Sequence, residues 1–219
     1  MSERGIWLDV EPRGHQSHRD DLAAFVGRAR RVDEAAVVRL RERPGGIVAA
    51  WVSTGFDVLA SRAVRGRVRP ADLSAGADAL LAGLAQMAPD GHVDPGFAMD
   101  SAWRGALPPD AGFVHLDDVP AREVFALAER GTALAREHSS AQGPPVSLLD
   151  QEVVEVAAGD DRVGIPMRCV FALTALGFVP DPVGADEVVR VRTTATWLRV
   201  DARFGSVYRR RGNPAVVLH

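Results

Sequence analysis

The sequence predicts an α+β fold: a helix and an antiparallel β-meander in the N-terminal half, then helices and a β-hairpin in the C-terminal half. Three observations carry this. Ala36, Val38 and Leu40 alternate with Arg39, Arg41 and Arg43, and Val189, Val191, Thr193 and Ala195 alternate with Arg190, Arg192, Thr194 and Thr196, which is the period of a strand. Strong turn signals, Pro44-Gly45-Gly46 and Phe204-Gly205-Ser206, follow those runs. Between them lies a nearly all-apolar stretch, Ile165 to Leu176, in which only Arg168 and Thr174 are polar, the pattern of a helix buried on several sides.

Ile6 to Leu8 opens as a short strand. Ser17 or Asp20 can cap a helix to about Arg31, because Leu22, Phe25 and Val26 share one face behind them. Ala35 to Arg43 is the first long strand and Ile47 to Ser53 the returning one. A third runs from Phe56 to about Ala63 and extends into Arg65, Arg67 and Arg69. Asp72 to Met87 places Leu73, Ala77, Leu80, Leu84 and Met87 at helical spacing. Residues 89–112 are rich in Pro, Gly and Asp and read as a long crossing loop, tied down by Phe97, Trp103 and Leu107. A boundary near Gly112 divides the chain into 1–112 and 113–219, which could also pack as one unit.

In the second half, Phe113 to Leu116 is a short strand and Pro120 opens a helix to about Glu137. Ser147 and Asp150 form a weak capping box for a helix to about 157, broken by Gly159-Asp160-Asp161. The buried helix then ends at Gly177, a left-handed stop before Phe178, Val179 and Pro180. The apolar phase slips from Val189/Val191 to Leu198/Val200, which calls for a bulge or turn near Thr196 and Trp197.

Of the 219 residues, 26 are basic, and all 26 are arginine; without lysine, Schiff-base, P-loop and kinase-type lysine chemistry is excluded. Gly-x-Ser-x-Gly, His-Glu-x-x-His and Gly-x-Gly-x-x-Gly are absent, and the expectation is a protein without a cofactor. The single cysteine, Cys169, lies on the apolar helix as an inert core thiol. No apolar run approaches the roughly 20 residues of a membrane span, so no membrane partner and a cytoplasmic location are expected. Net charge is −3 and unevenly spread: residues 28–69 carry +6, residues 70–186 carry −12 and residues 187–219 carry +5.

The order of helices 120–137, 147–157 and 165–176, the ending Ala172-Leu173-Thr174-Ala175-Leu176-Gly177-Phe178-Val179 and the basic hairpin after it are similar to a winged helix-turn-helix. That resemblance covers about the last hundred residues. It implies a third helix able to enter a DNA major groove, where Arg168 would be its one polar reader, and a wing whose Arg190, Arg192 and Arg199 would meet phosphates. With so apolar a helix, a winged helix used for packing or dimerisation is the preferred form.

Other candidate sites follow from residue type and spacing. Arg39 and Arg41, with Arg65 and Arg67, form stripes of period two that suit an anion-binding patch or salt bridges within the fold. Trp103 with Arg104, and Trp197, suit contact with a ligand or partner, or loop anchoring. His15, His18, Asp20 and Asp21 have metal-ligand chemistry, or form a polar helix start. The reading is a non-catalytic ligand-binding or protein-interaction protein, forming a homodimer through its strand-rich surfaces. The alternatives are a winged-helix DNA-binding regulator, with nucleic acid possible but not favoured as partner, and a metal-dependent enzyme using the N-terminal cluster.

Overall fold

The computed structural model of the chain describes residues 4–10, 17–138, 145–158 and 161–211. The chain forms two compact units, Met1–Gly55 with Leu59–Ala106, and Phe56–Val58 with Leu107–His219. Strands and helices both contribute substantially, and the sheets are antiparallel, so the α+β class holds.

In the first unit, β1 (Gly5–Leu8) is followed by α1 (His18–Val32), β2 (Val37–Arg43), β3 (Ile47–Ser53) and β4 (Leu59–Arg69). Ser17 caps α1, its hydroxyl accepting from the Asp20 N–H at 3.0 Å. The three-residue turn between β2 and β3 needs positive φ at Gly45 (84°) and Gly46 (70°), which glycine adopts without a Cβ clash. The expected helix over 72–87 is a correction: Asp72–Gly76 is β5, pairing with β2 through Leu40↔Leu73, and only Ala77–Ala85 is helical, as α2. Pairing with an edge that would otherwise be open overrides the helical spacing there.

Sheet order is β5-β2-β3-β4, with β1 alongside β4 and the two-residue β6 (His92–Val93) alongside β1. One face, including Val38, Leu40, Val48, Ala50, Val64 and Leu73, is buried with Leu22, Phe25 and Val26 of α1 and Leu80 and Leu84 of α2. Arg62 lies on that face, and Asp21 of α1 meets it at 2.6 Å. The loop 89–112 is not tied down by Phe97, which is 91% exposed. Polar contacts hold it instead: Asp100 accepts from the Ser74 N–H at 2.6 Å, and Arg4 donates to the carbonyls of Ser74 and Gly96.

The second unit contains β7 (Val114–Pro120), α3 (Ala121–His138), the short α4 (Val146–Asp150), β8 (Glu152–Ala158), β9 (Asp161–Pro166) and α5 (Met167–Ala175). β10 (Val188–Thr193), β11 (Trp197–Ala202) and β12 (Gly205–Arg210) complete it. The helix expected over 147–157 is thus one turn followed by a strand, because Val153, Val154 and Val156 favour a hairpin with β9, in register Val156↔Val163. The run of three helices on which the winged-helix resemblance rests is therefore not formed.

Sheet order here is β12-β11-β10-β7, with Val189, Val191, Leu198, Val200 and Val207 buried on the side of α3 and α5. The slip of phase near Thr196 is a turn, in which the Thr194 hydroxyl accepts from the Thr196 and Trp197 N–H groups. Gly177 closes α5 at φ 60°, with Phe178 donating to Leu173 at 2.8 Å, the paired bonds of a Schellman stop. No helix among the described residues is long and apolar enough to cross a membrane.

Candidate functional site

Strand register gathers the basic stripes of the first unit. In an antiparallel sheet, directly paired residues share a face. Arg39 pairs with Trp51 and Trp51 with Ser61; Arg43 pairs with Ile47 and Ile47 with Arg65. Farther along β4, Arg67 pairs with Trp7 and Arg69 with Gly5. Arg39, Arg41, Arg43, Arg65, Arg67 and Arg69 therefore occupy one face, the face opposite α1 and α2. Because β2 and β4 flank β3, the two stripes stand roughly 10 Å apart, and the eight steps from the level of Arg39 to Arg69 give a basic band of about 27 Å.

Tryptophans stud this band. The Arg39 guanidinium lies 5.8 Å from the Trp103 ring, Arg43 5.6 Å from Trp51, and Arg67 and Arg69 5.4 and 5.8 Å from Trp7. Such contacts restrict the guanidinium planes, and Arg65, Arg67 and Arg69 are exposed. Trp103 itself is half-buried and donates to the Gly105 carbonyl at 3.1 Å, and Arg104 beside it is exposed. Arg39 is the committed member, gripping Asp72 through two bonds of 2.8 and 2.7 Å. That carboxylate holds its pKa above the ordinary arginine value. Arg41, Arg65, Arg67 and Arg69 make no ion pair among the described residues.

The basic strands of the second unit are arranged differently. Arg192 and Arg199 converge on Asp201 at 2.8 and 2.6 Å, and Ser206 donates to the same carboxylate. Arg199 also lies between Phe113 and Tyr208, 5.5 and 5.4 Å from their rings. Asp201 is only 12% exposed, so the two cations are largely spent within the sheet. Arg190 is exposed beside them. Trp197 is buried at 6% exposure under Arg210 and acts as packing.

Arg168 is an anchor rather than a reader of bases. Its guanidinium, 7% exposed, donates to the Phe56 carbonyl at 2.7 Å and meets Asp150 at 2.6 Å, and Arg209 meets the same Asp150 at 3.1 Å. One residue along α5, burial pushes the Cys169 thiol up to about 12, so it stays protonated. In the N-terminal cluster, His15 lies outside the described residues and His18 begins α1. Asp21 is engaged by Arg62, and Asp20 is held below the usual carboxylate range by the Ser17 contact and by Arg19. No group of three potential ligands that could hold a metal occurs among the described residues.

Two features escaped the sequence. An apolar cleft of about 520 Å³ lies between α3 and α5, lined by Phe56, Ala135, Phe171 and Ala175, with Arg136 at its edge. It is assembled from residues more than a hundred positions apart, and no local pattern announces it. The Asp201 node was also hidden, since it depends on the register Arg190↔Asp201 and Arg192↔Arg199.

Residues 1–105 match a family model described as Domain of unknown function (DUF8010), and residues 108–214 match another described as Domain of unknown function (DUF8185). No curated protein matches the chain. Among solved structures it is similar to pol III beta of Caulobacter crescentus, at 13% identity and TM-score 0.54, over 90% of this chain and 65% of that one. It is likewise similar to DNA polymerase III, beta chain, of Streptococcus pneumoniae, at 14% identity and TM-score 0.56, over 90% and 65%. A sliding clamp from Bartonella birtlesii bound to griselimycin gives 15% identity and TM-score 0.53, over 94% and 64%. The chain spans just under two thirds of the length of these proteins, and at such identities the likeness is one of fold.

Proposed function

We propose that the protein is a non-catalytic interaction protein that engages an acidic partner protein through the arginine and tryptophan face of its first unit. The register that places Arg41, Arg65, Arg67 and Arg69 together on one sheet face, without carboxylate partners among the described residues, carries the reading. Planar guanidinium groups held by aromatic rings recognise carboxylates through paired N–H donors at little further cost in side-chain entropy. A second copy of the chain fits the same chemistry, since residues 70–186 carry −12, and this keeps a homodimer within the reading. The clamp-type fold supports a binding rather than a catalytic role, by analogy with the DNA polymerase sliding clamps to which the chain is similar.

The same analogy favours a second reading, in which the anionic partner is nucleic acid. The half-buried Trp7 and the buried Trp51 are already flanked by guanidinium groups, which leaves little open ring for base stacking and places this reading second.

Fluorescence anisotropy with a glutamate-rich peptide and with duplex DNA separates the two. Expected is saturable peptide binding that weakens at least about ten-fold in an Arg41→Gln/Arg65→Gln/Arg67→Gln variant. Binding of DNA in preference to peptide, with a salt slope that falls by about 0.9 per arginine removed, supports the second reading. If neither probe binds, both readings fail.

A further inference from the structure

We propose that the second unit carries a separate site for a small tetrahedral dianion, inorganic phosphate or the phosphate of a monoester, in a polar pocket formed by β8, β9 and β12. The pocket has a volume of about 200 Å³ and is lined by Arg162, Arg209, Arg210, Arg211, Glu152 and Leu198 among others. Four arginines and one glutamate thus line it, and Asp150 and Glu155 each meet one of these arginines from outside. The lining keeps an excess of positive charge, and an anion is the group that relieves it.

Three of these arginines are positioned from outside the pocket. Arg209 meets Asp150 at 3.1 Å through one terminal nitrogen. Arg162 meets Glu155 at 3.0 Å in the same way, and Arg211 donates to the Thr194 carbonyl at 3.1 Å. Arg210 pairs with Trp197, and its guanidinium lies 5.6 Å from that ring on the face opposite Leu198 and Arg209, so it bounds the pocket without aiming its fork into it. A guanidinium has five N–H donors in a fixed fork, so these single contacts fix its direction and leave most of its donors unused. Three forks, those of Arg162, Arg209 and Arg211, suit an acceptor with oxygens pointing several ways, which describes a phosphate better than a planar carboxylate.

Size narrows the ligand further. Pockets that enclose drug-sized molecules run from roughly 300 to 1,000 Å³, so this one takes the anionic group itself and leaves any attached sugar or side chain in solvent. Glu152 supplies the opposing charge. Its carboxylate lies against Gly164, where an added Cβ would fall 2.1 Å from the carboxyl carbon, and it makes no ion pair among the described residues. It therefore weakens dianion binding without blocking the arginines.

The test is a thermal-melt and calorimetric titration of the full chain with inorganic phosphate, against chloride at matched ionic strength. Expected is a saturable rise in melting temperature that an Arg162→Gln/Arg211→Gln variant shifts to at least about ten-fold higher phosphate. A Glu152→Gln variant moves the opposite way, to several-fold tighter binding, and provides the decisive comparison if the double variant folds poorly. Adenosine monophosphate added in place of phosphate identifies the source: tighter binding than phosphate assigns the site to a monoester, and equal or weaker binding assigns it to the free ion. The Arg41→Gln/Arg65→Gln/Arg67→Gln variant retains the phosphate response, which separates this site from the face of the first unit. The proposal is overturned if phosphate gives no saturable response, or if the response is unchanged in both the double variant and Glu152→Gln.

Discussion

Replacing Arg168 by alanine should destabilise the second unit far more than it alters any surface property. The guanidinium makes two bonds below 2.8 Å, one to the Phe56 carbonyl and one to Asp150, at 7% exposure. A bond involving a charged group contributes about 1.5–3 kcal/mol, and breaking one side of a buried pair costs about 3–5 kcal/mol. Asp150 is 46% exposed and keeps Arg209, which softens the loss. The expected cost is therefore about 4 kcal/mol, and about 1 kcal/mol less for Arg168→Met, which retains the apolar stem. With a urea m-value of about 2 kcal/mol per molar, the midpoint falls by about 2 M. Hydrogen exchange followed on peptides from α5 and β12 in rising urea reports this unit alone. A midpoint shift below about 0.5 M, together with lost binding to DNA, would restore Arg168 as a groove reader and refute the argument.

Three further outcomes follow from the packing. The Cys169 thiol, raised by burial to about 12 against an ordinary 9.0, keeps its proton where the unfolded chain loses it. Its contribution is intact below pH 9 and is lost as pH rises toward 12, amounting to about 1.4 kcal/mol at pH 10; Cys169→Ala should flatten the stability profile over that window, and an unchanged profile would contradict the burial argument. Gly131→Ala places a Cβ 2.8 Å from the Met167 sulfur and 2.9 Å from the Phe171 ring, so the ends of both side chains must shift; a net cost of about 1 kcal/mol in denaturant titration is expected after the roughly 1 kcal/mol that alanine gains over glycine inside a helix, and a net stabilisation would contradict the close contact. Ser17→Ala removes the cap of α1 and the bond that depresses Asp20, for a loss of about 1 kcal/mol near neutral pH that shrinks as pH falls through the carboxylate range.

The strands with an uninterrupted period of two were legible in the sequence. Val37 to Arg43 and Val188 to Thr193 declare both their extent and their inward face, because side chains alternate and the arginines mark the other side, while Ile47 to Ser53 declares its extent as an apolar run after the Pro44-Gly45-Gly46 turn. α1, with its Ser17 cap, and the Gly177 stop of α5 were equally plain, since each has a chemical signature at its end. Asp72–Gly76 and Glu152–Ala158 were not, because a five-residue strand with Leu73 and Ala75 fits a helical face too, and a partner strand decides between them. Candidate residues fared similarly. That Arg39, Arg41 and Arg43 share a face was readable from their spacing, but that Arg65 and Trp7 join them, or that Arg192 and Arg199 are consumed by Asp201, depends on pairings that no local window contains.

Two arginine sets of similar sequence pattern have been given opposite fates, and a single titration compares them. The affinity for a glutamate-rich peptide is measured for the Arg41→Gln/Arg65→Gln/Arg67→Gln variant and for an Arg192→Gln/Arg199→Gln variant, each checked for an unchanged far-ultraviolet spectrum. The first should bind at least about ten-fold more weakly while the second holds within about two-fold, since its guanidinium groups already serve Asp201. Loss of binding in the second variant with the first unaffected would contradict the assignment of the binding face.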